Sequence, residues 1–300
     1  MNCGLVVVCH HPPPGLPARL SSLSGQVGPI VVVDNGPPQD HPALAASLAA
    51  LPGLQLIANP ANLGIAAALN QGLQALQQAG CRWALLLDHD SQPASEMLPR
   101  LLAAAGQWQG RAIAFVPRIR YALAEIQCRW PVTRPGSRWR FSRVRASAMD
   151  APAAVDLAIG SGMLIDLQRL PQVGGFRESL FIDLVDTEFC LRARHRGFDV
   201  VAVPGAELQH ALGHVARRRL LGVRVYPTHH APLRHYYLAR NRVLLWKHYA
   251  RHFPSWAVYE LMSGAKLLVK ALCFEAHRWD KLRATLRGTW DGLRGTLPGP

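Results

Sequence analysis

Long apolar runs are missing from this chain of 300 residues: none approaches the roughly 20 residues that a bilayer-spanning helix needs. The N-terminus lacks a basic flank, and residues 5–9 are too short an apolar stretch for the core of a secretion signal, so export is not expected. Paired cysteines are missing as well. The six cysteines, at positions 3, 9, 81, 128, 190 and 273, are scattered, with no Cys-x-x-Cys and no metal-type spacing. That excludes a disulfide framework and a cysteine zinc site, and it is what reduced cytosolic thiols look like. There is no internal repeat and no low-complexity segment.

Acidic residues are scarce, with 19 Asp/Glu against 33 Lys/Arg and a formal net charge of +14. The scarcity is local. Residues 1–215 carry 17 basic and 15 acidic side chains, whereas residues 216–300 carry 16 and 4. The same tail holds eleven of the 22 Phe, Trp and Tyr residues. Basic residues interleaved with Trp and Tyr suit an anionic membrane surface, where rings settle at the headgroup level and Lys and Arg meet lipid phosphates. A solvated basic face and a nucleic-acid partner compete with that reading. Nucleic acid is disfavoured, because the excess charge avoids the motif-bearing part of the chain. Within the tail, Leu261, Ala265, Leu268 and Leu272 fall on one helical stripe with Lys266 and Lys270 beside it. This predicts an amphipathic helix that either packs on the rest of the protein or meets a membrane surface.

What is present is a sizeable core in prospect, with 49% hydrophobic residues. Short apolar runs at residues 5–9, 30–33, 54–57, 83–87 and 112–116 predict buried parallel strands alternating with helical segments. The clearest helix follows Gly64, where Ile65, Leu69, Leu73 and Leu76 recur at helical spacing. Such alternation predicts an α/β sheet flanked by helices, with ligands bound beyond the carboxyl ends of the strands. Asp34-Asn35-Gly36 follows the second strand, Asn59 to Gly64 the third, and Asp88-His89-Asp90-Ser91 the fourth, so all three can converge on one ligand. Residues 118–154 break the pattern. Six arginines between Arg129 and Arg145, and no acid from Gln127 to Met149, predict an excursion over the surface. Regular structure returns at residues 155–159, and Gly160-Ser161-Gly162 allows close backbone approach to a ligand, or only a turn or bulge. A further strand is expected at 200–203, with His210 following in a short polar segment.

Two acidic motifs carry the chemistry. Asp88 and Asp90 close an apolar strand two residues apart, so alternation points them the same way. Hard oxygen ligands of this kind suit Mg²⁺ or Mn²⁺ bridging carboxylates to substrate phosphates, although acids also close strands merely by favouring turns. His210, a few residues past a strand, can complete such a shell or be structural. The second motif, Phe181-Ile-Asp-Leu-Val-Asp-Thr-Glu188, sets Asp183, Asp186 and Glu188 at the mouth of a helix. Asp186 is either an N-cap or a fixed carboxylate able to take a proton from an incoming hydroxyl.

Together, Val31-Val-Val-Asp-Asn-Gly36, Asn59-x-x-Asn62-Leu-Gly64, Ala68-Leu-Asn70, Leu86-Leu-Asp-His-Asp-Ser91, Ser161-Gly162, the Phe181 to Glu188 motif and His210 resemble the inverting family 2 glycosyltransferases. The bacterial rhamnosyltransferase-like subgroup is the nearest in pattern, and the late Arg240-Asn241 pair also looks like one of its features. The resemblance spans about residues 5–245. It implies a GT-A-type nucleotide-sugar-binding sheet over residues 1–215, with residues 216–300 as a basic, aromatic, mainly helical extension for acceptor or membrane-surface contact. It further implies Asp186 as general base, Asp88, Asp90 and His210 as the metal site for Mg²⁺ or Mn²⁺, and Asp34 beneath the nucleotide base. Asn35, Asn62, Gly64, Ser161, Gly162, Asp183, Glu188, Arg240 and Asn241 are the further substrate-binding candidates. His89 stands where the family usually has Gln, and Phe189 where Trp is common. The implied donor is a nucleoside diphosphate sugar, dTDP-rhamnose in this subgroup. The implied acceptor is a lipid-linked glycan of a cell-surface polysaccharide, O-antigen or exopolysaccharide, extended at the inner face of the cytoplasmic membrane. A sugar nucleotidyltransferase would share the sheet and the acidic site, but it should carry a Gly-rich basic loop after the first strand, where this chain has His10 to Pro14. A two-carboxylate glycoside hydrolase fits poorly, since a metal-bound diphosphate needs no acid to leave.

Overall fold

Continuous apolar runs form the middle of the sheet. The computed structural model describes residues 2–10, 13–36, 42–121, 127–134, 136–210, 218–220, 223–227 and 229–297. Its strands are β1 (Cys3–Cys9), β2 (Ile30–Asp34), β3 (Leu54–Ala58), β4 (Trp83–Asp88), β5 (Gln92–Pro93), β6 (Ala112–Tyr121), β7 (Arg129–Thr133), β8 (Phe141–Arg145), β9 (Ala153–Val155), β10 (Leu164–Asp166), β11 (Asp199–His210), β12 (Arg218–Leu220) and β13 (Val223–Val225). Its helices are α1 (Leu16–Leu23), α2 (Pro42–Ala49), α3 (Ile65–Gln78), α4 (Met97–Gln107), α5 (Leu170–Val173), α6 (Val185–His195), α7 (Pro232–Tyr249), α8 (Pro254–Phe274) and α9 (Arg278–Arg294).

β1 and β2 are buried at every position, and β4 at all but its last. Strands covered on both faces have no polar alternation to display, hence the unbroken hydrophobic runs. β1 pairs in parallel with β2 and β4, and β2 with β3. β3 closes the sheet as an edge strand and is half-buried rather than buried. α3 packs on β1 and β2 through Leu69, Leu73 and Leu76, while Ile65, at the head of the stripe, stays half-exposed.

Beyond β4 the sheet departs from the expected parallel run. The strand order is β3-β2-β1-β4-β10-β6-β11-β5. Short β10 is inserted between β4 and β6, antiparallel to both. β6 spans 10 residues, twice the expected run, and pairs in parallel with β11. β11 is one strand of 12 residues with an irregularity between Val203 and Glu207, and His210 is its last residue rather than part of a polar segment beyond it. The run expected at 155–159 is mostly loop; the strand there, β9, ends at Val155 and pairs with β11. The arginine-rich excursion is also partly regular, because β7 and β8 pair as a two-stranded sheet.

The chain divides into two compact units, Met1–Trp130 with Val144–Phe181 and Val185–Ala211, and Pro131–Arg143 with Ile182–Leu184 and Leu212–Pro300. Two stretches expected in the sheet-bearing part thus cluster with the tail. In the second unit α7 and α9 lie in backbone contact: a side chain at Gly288 or Gly292 would strike the carbonyls of Tyr236 or Arg240. Among the described residues, no helix is long and apolar enough to cross a membrane.

Candidate functional site

Asp88 ends β4 and Asp34 ends β2, on either side of β1, where Val8 is in register with Asp88 and Cys9 with Asp34. Asp90 sits in the turn that follows, which is tied down by a 2.5 Å bond from Arg19 Nη2 to the His89 carbonyl. β11 brings His210 to the same place. Nε2 of His210 lies 3.9 Å from Asp88 Oδ2, and Nδ1 lies 3.6 Å from Asp90 Oδ1. One ligand atom from each of the three residues falls within 4.8 Å of the others, so two carboxylates and an imidazole fit a single divalent cation. Desolvation by the surrounding protein pushes the Asp88 carboxyl above its usual range; His210 pulls it down, and the like charge of Asp90 adds to the rise. The Asp88 side chain nonetheless keeps 45% exposure, so the cluster is open on one side.

Two serines lock this cluster. Ser161 Oγ accepts from the Asp88 amide at 3.1 Å and lies 2.8 Å from Ser91 Oγ, which in turn lies 2.8 Å from His210 Nδ1. The neighbouring residue reaches the second acidic motif: the Gly160 amide donates to Asp186 Oδ2 at 3.2 Å. Consecutive residues 160 and 161 therefore connect Asp186 to the Asp88–Asp90–His210 cluster. Asp186 is not the N-cap of α6. It is the second residue of that helix, and its Oδ1 accepts from the amide of Thr187 at 2.7 Å.

A buried amide network shapes the ground beside Asp34. Asn35 donates to Asn62 Oδ1 and to the Gly64 carbonyl, and it accepts from Asn59 and from the Leu63 amide. Asn59 is further bonded to Gln71 of α3. Asp34 is itself buried, accepting from the Gly36 amide at 3.2 Å. Gly64 has φ +88°, and a Cβ there would lie 2.7 Å from the Phe181 carbonyl oxygen, so its contribution is shape. Its amide is taken by Asn62 and the next one by Phe181.

Other candidates are engaged by bonds and packing within the protein. Glu188 is wholly buried, bonded to Arg177 at 2.6 Å and to Arg192 at 2.9 Å; this ion pair fixes α6 rather than a substrate. Gly162 is held inside the sheet by its bond to the Leu86 carbonyl, at φ +82°, with Pro117 and Leu208 packed where a side chain would go. In the second unit Asp183 is gripped by Arg234, with Nε at 3.1 Å and Nη2 at 2.5 Å. Asn241 is fully buried and donates to the carbonyls of Ile182 and Asp183. Arg240 donates to Asn241 Oδ1 at 3.0 and 2.9 Å and lies over the Tyr237 ring. Asp183 and Leu184 have φ of +63° and +61°, a left-handed run costly for residues with side chains, and these bonds hold it. Asn241 and Arg240 thus support a strained loop. Ser91, Asn59 and Arg234 were not among the expected site residues. The first two lie inside the motifs that carried the resemblance, whereas nothing in the sequence pairs Arg234 with Asp183.

Comparison with known proteins agrees with this fold. The sequence model for glycosyl transferase family 2 matches residues 5–159. The dTDP-rhamnosyl transferase RfbF of Shigella flexneri is 27% identical over 305 residues, covering 99% of this chain and 97% of that protein. The N-acetylglucosaminyl-diphospho-decaprenol L-rhamnosyltransferase of Mycobacterium tuberculosis is 27% identical over 243 residues, covering 71% of this chain and 77% of that protein. Among solved structures, GalNAc-T7 with UDP, GalNAc and Mn²⁺ superposes with a TM-score of 0.59 at 17% identity, over 84% of this chain and 49% of that one. Staphylococcus aureus TarS 1-349 in complex with UDP-GlcNAc gives 0.55 at 14% identity, over 98% of this chain and 81% of that one. Both share the fold with this chain.

Proposed function

The chain belongs to glycosyl transferase family 2, and we propose that it is a metal-dependent inverting rhamnosyltransferase. In this reading it moves the sugar of a nucleoside diphosphate donor, dTDP-rhamnose, onto a lipid-linked glycan during synthesis of a cell-surface polysaccharide. The observation that carries the proposal is the link just described: Gly160 and Ser161 join a carboxylate on a helix, Asp186, to a two-carboxylate, one-imidazole cluster at the carboxyl ends of β4 and β11. The names of the two rhamnosyl-transferring relatives support the donor sugar, and that of the mycobacterial relative supports a lipid diphosphate acceptor.

The chemistry divides between the two carboxylate sites. Asp88, Asp90 and His210 would hold Mg²⁺ or Mn²⁺, and a cation there offsets the charge that develops on the departing diphosphate. Asp34 and the Asn35–Asn62 network border the nucleotide. Asp186 takes the proton of the acceptor hydroxyl as its oxygen bonds to the anomeric carbon. The bond to the diphosphate breaks with its electron pair, nucleoside diphosphate leaves, and the single displacement inverts the anomeric centre. Residues 216–300 serve the acceptor side, at the inner face of the cytoplasmic membrane.

A panel of nucleotide sugars, assayed for release of nucleoside diphosphate in the presence of Mn²⁺ and membrane lipid extract, tests the proposal. Turnover of dTDP-rhamnose above the other donors is expected. Release of pyrophosphate, or turnover indifferent to the sugar, would reject it.

A further inference from the structure

α9 turns its glycine face to α7 and its opposite face to solvent. Gly288 and Gly292 lie against the backbone of α7, and Lys281, on the same side, is buried in an ion pair with Glu275 at 2.7 Å. Trp279, Leu286, Trp290 and Leu293 recur at helical spacing on the outer side, and all four are more than half exposed. Large apolar side chains standing in a row on a helix face, each more than half open to solvent, mark an interaction surface. Arg283, Arg287 and Arg294 follow the same spacing one step around the helix, and the Arg294 guanidinium sits 4.3 Å from the centre of the Trp290 ring. The two acids of the helix lie beyond the arginines and are engaged: Asp291 accepts from Tyr236 at 2.9 Å, and Asp280 is 3.4 Å from Arg283. Beside the arginine row, α7 and α9 leave a groove of about 450 Å³ bordered by Leu233, Tyr236, Arg283 and Arg287.

We infer that the Trp279–Leu286–Trp290–Leu293 ridge of α9, with Arg283, Arg287 and Arg294 along its flank, is the surface by which this protein seats on an anionic lipid bilayer. The inference deepens the reading that the tail meets a membrane and rests on it. An apolar ridge bordered by guanidiniums matches a bilayer interface in both respects. Indole and leucine side chains enter the headgroup and acyl boundary, and arginine meets phosphate at its edge. The stripe anticipated on α8 is a poorer match. Leu261, Met262 and Val269 are exposed there, but Lys266 stands alone beside them, because Lys270 turns inward to the Tyr226 carbonyl at 3.3 Å. A second copy of the chain would suit the apolar ridge, but not a row of arginines that meets the same row on its mate.

The test is cosedimentation of the full-length protein with vesicles of phosphatidylglycerol and phosphatidylcholine, alongside vesicles of phosphatidylcholine alone. Basic groups near an anionic leaflet each strengthen binding on the order of fivefold. The triple variant Arg283→Glu, Arg287→Glu, Arg294→Glu should therefore bind anionic vesicles more than about a hundredfold more weakly, with neutral vesicles bound weakly throughout. The pair Trp279→Ala, Trp290→Ala should lose at least roughly tenfold with its charge intact, while Leu261→Ala, Val269→Ala on α8 stays near wild type. All of these positions are exposed, and an unchanged circular dichroism spectrum confirms that each variant is folded. Wild-type binding retained by both α9 variants overturns the α9 surface and leaves the membrane reading standing. Failure of the wild-type protein to bind any vesicle overturns both. Concentration-dependent dimerisation that only the α9 variants lose, with vesicle binding unaffected, assigns the ridge to a second copy and overturns the inference.

Discussion

Asp186 and Asp183 lie three residues apart in one motif, and their surroundings separate them. The carboxylate of Asp183 is clasped by the Arg234 guanidinium, whereas Asp186 accepts from the backbone amides of Gly160 and Thr187. The two-point pair holds both oxygens of the Asp183 carboxylate on the guanidinium. Asp186→Asn should therefore lower the transfer rate by about 10² to 10⁴ while nucleoside diphosphate binding stays within a few-fold of wild type. Single-turnover transfer and equilibrium binding, measured side by side, check this; retention of more than about a tenth of the activity would move the base elsewhere. At this scale the sequence was informative about type and weaker about direction. Asp88, Asp90 and His210, scattered along the chain, do converge. Glu188 shares its motif with Asp186 yet points inward to Arg177 and Arg192, because adjacency in a motif does not say which side of a helix faces the core.

Among the elements, β1, β2 and β4 were legible because burial on both faces leaves an unbroken apolar run, and α3 because one buried helical stripe leaves a periodic one. β11 was not. Its pairing slips between Val203 and Glu207, a Pro-Gly-containing stretch, so the apolar pattern stops midway while the strand continues to His210. β7 and β8 were missed for the opposite reason: their positions are mostly exposed or half-buried, so no core pattern forms. Gly162, expected near a ligand, is closely packed on its Cβ side. Gly162→Ala puts a methyl group against Pro117 and Leu208 at a backbone angle that alanine resists, and it should cost roughly 1–3 kcal/mol in denaturant unfolding. An unchanged midpoint would contradict this placement. On α7 and the loop before it, burial pushes the His230 pKa down to about 4, with the Arg234 charge acting in the same direction. The unfolded chain then takes up a proton that the folded one refuses, so this contribution is intact above pH 6.5 and is lost as pH falls toward 4. Melting temperatures measured across that window should fall with pH, and less steeply in His230→Gln; equal slopes would remove His230 as a cause.

For the whole molecule, the thiols and the cation site give the broadest checks. Burial pushes Cys3, Cys9 and Cys190 up to about 12, while Cys273 is exposed on α8. Thiolate is the reacting form, so iodoacetamide at pH 8 should label Cys273 rapidly and all six cysteines only after denaturation. Fast modification of three or more in the native protein would contradict the packing around β1 and α6. The account as a whole turns on the Asp88–Asp90–His210 cluster holding a cation for the donor diphosphate, because a sheet-bearing part with nearly balanced charge offers little else to screen it. Calorimetric titration of the full chain with dTDP measures this directly, in Mn²⁺ and in excess chelator, for the wild type and for Asp90→Ala. The account predicts binding in Mn²⁺ that weakens at least about tenfold on chelation, and a weakened, chelator-insensitive response in Asp90→Ala. Equal dTDP affinity in Mn²⁺ and in chelator would contradict it.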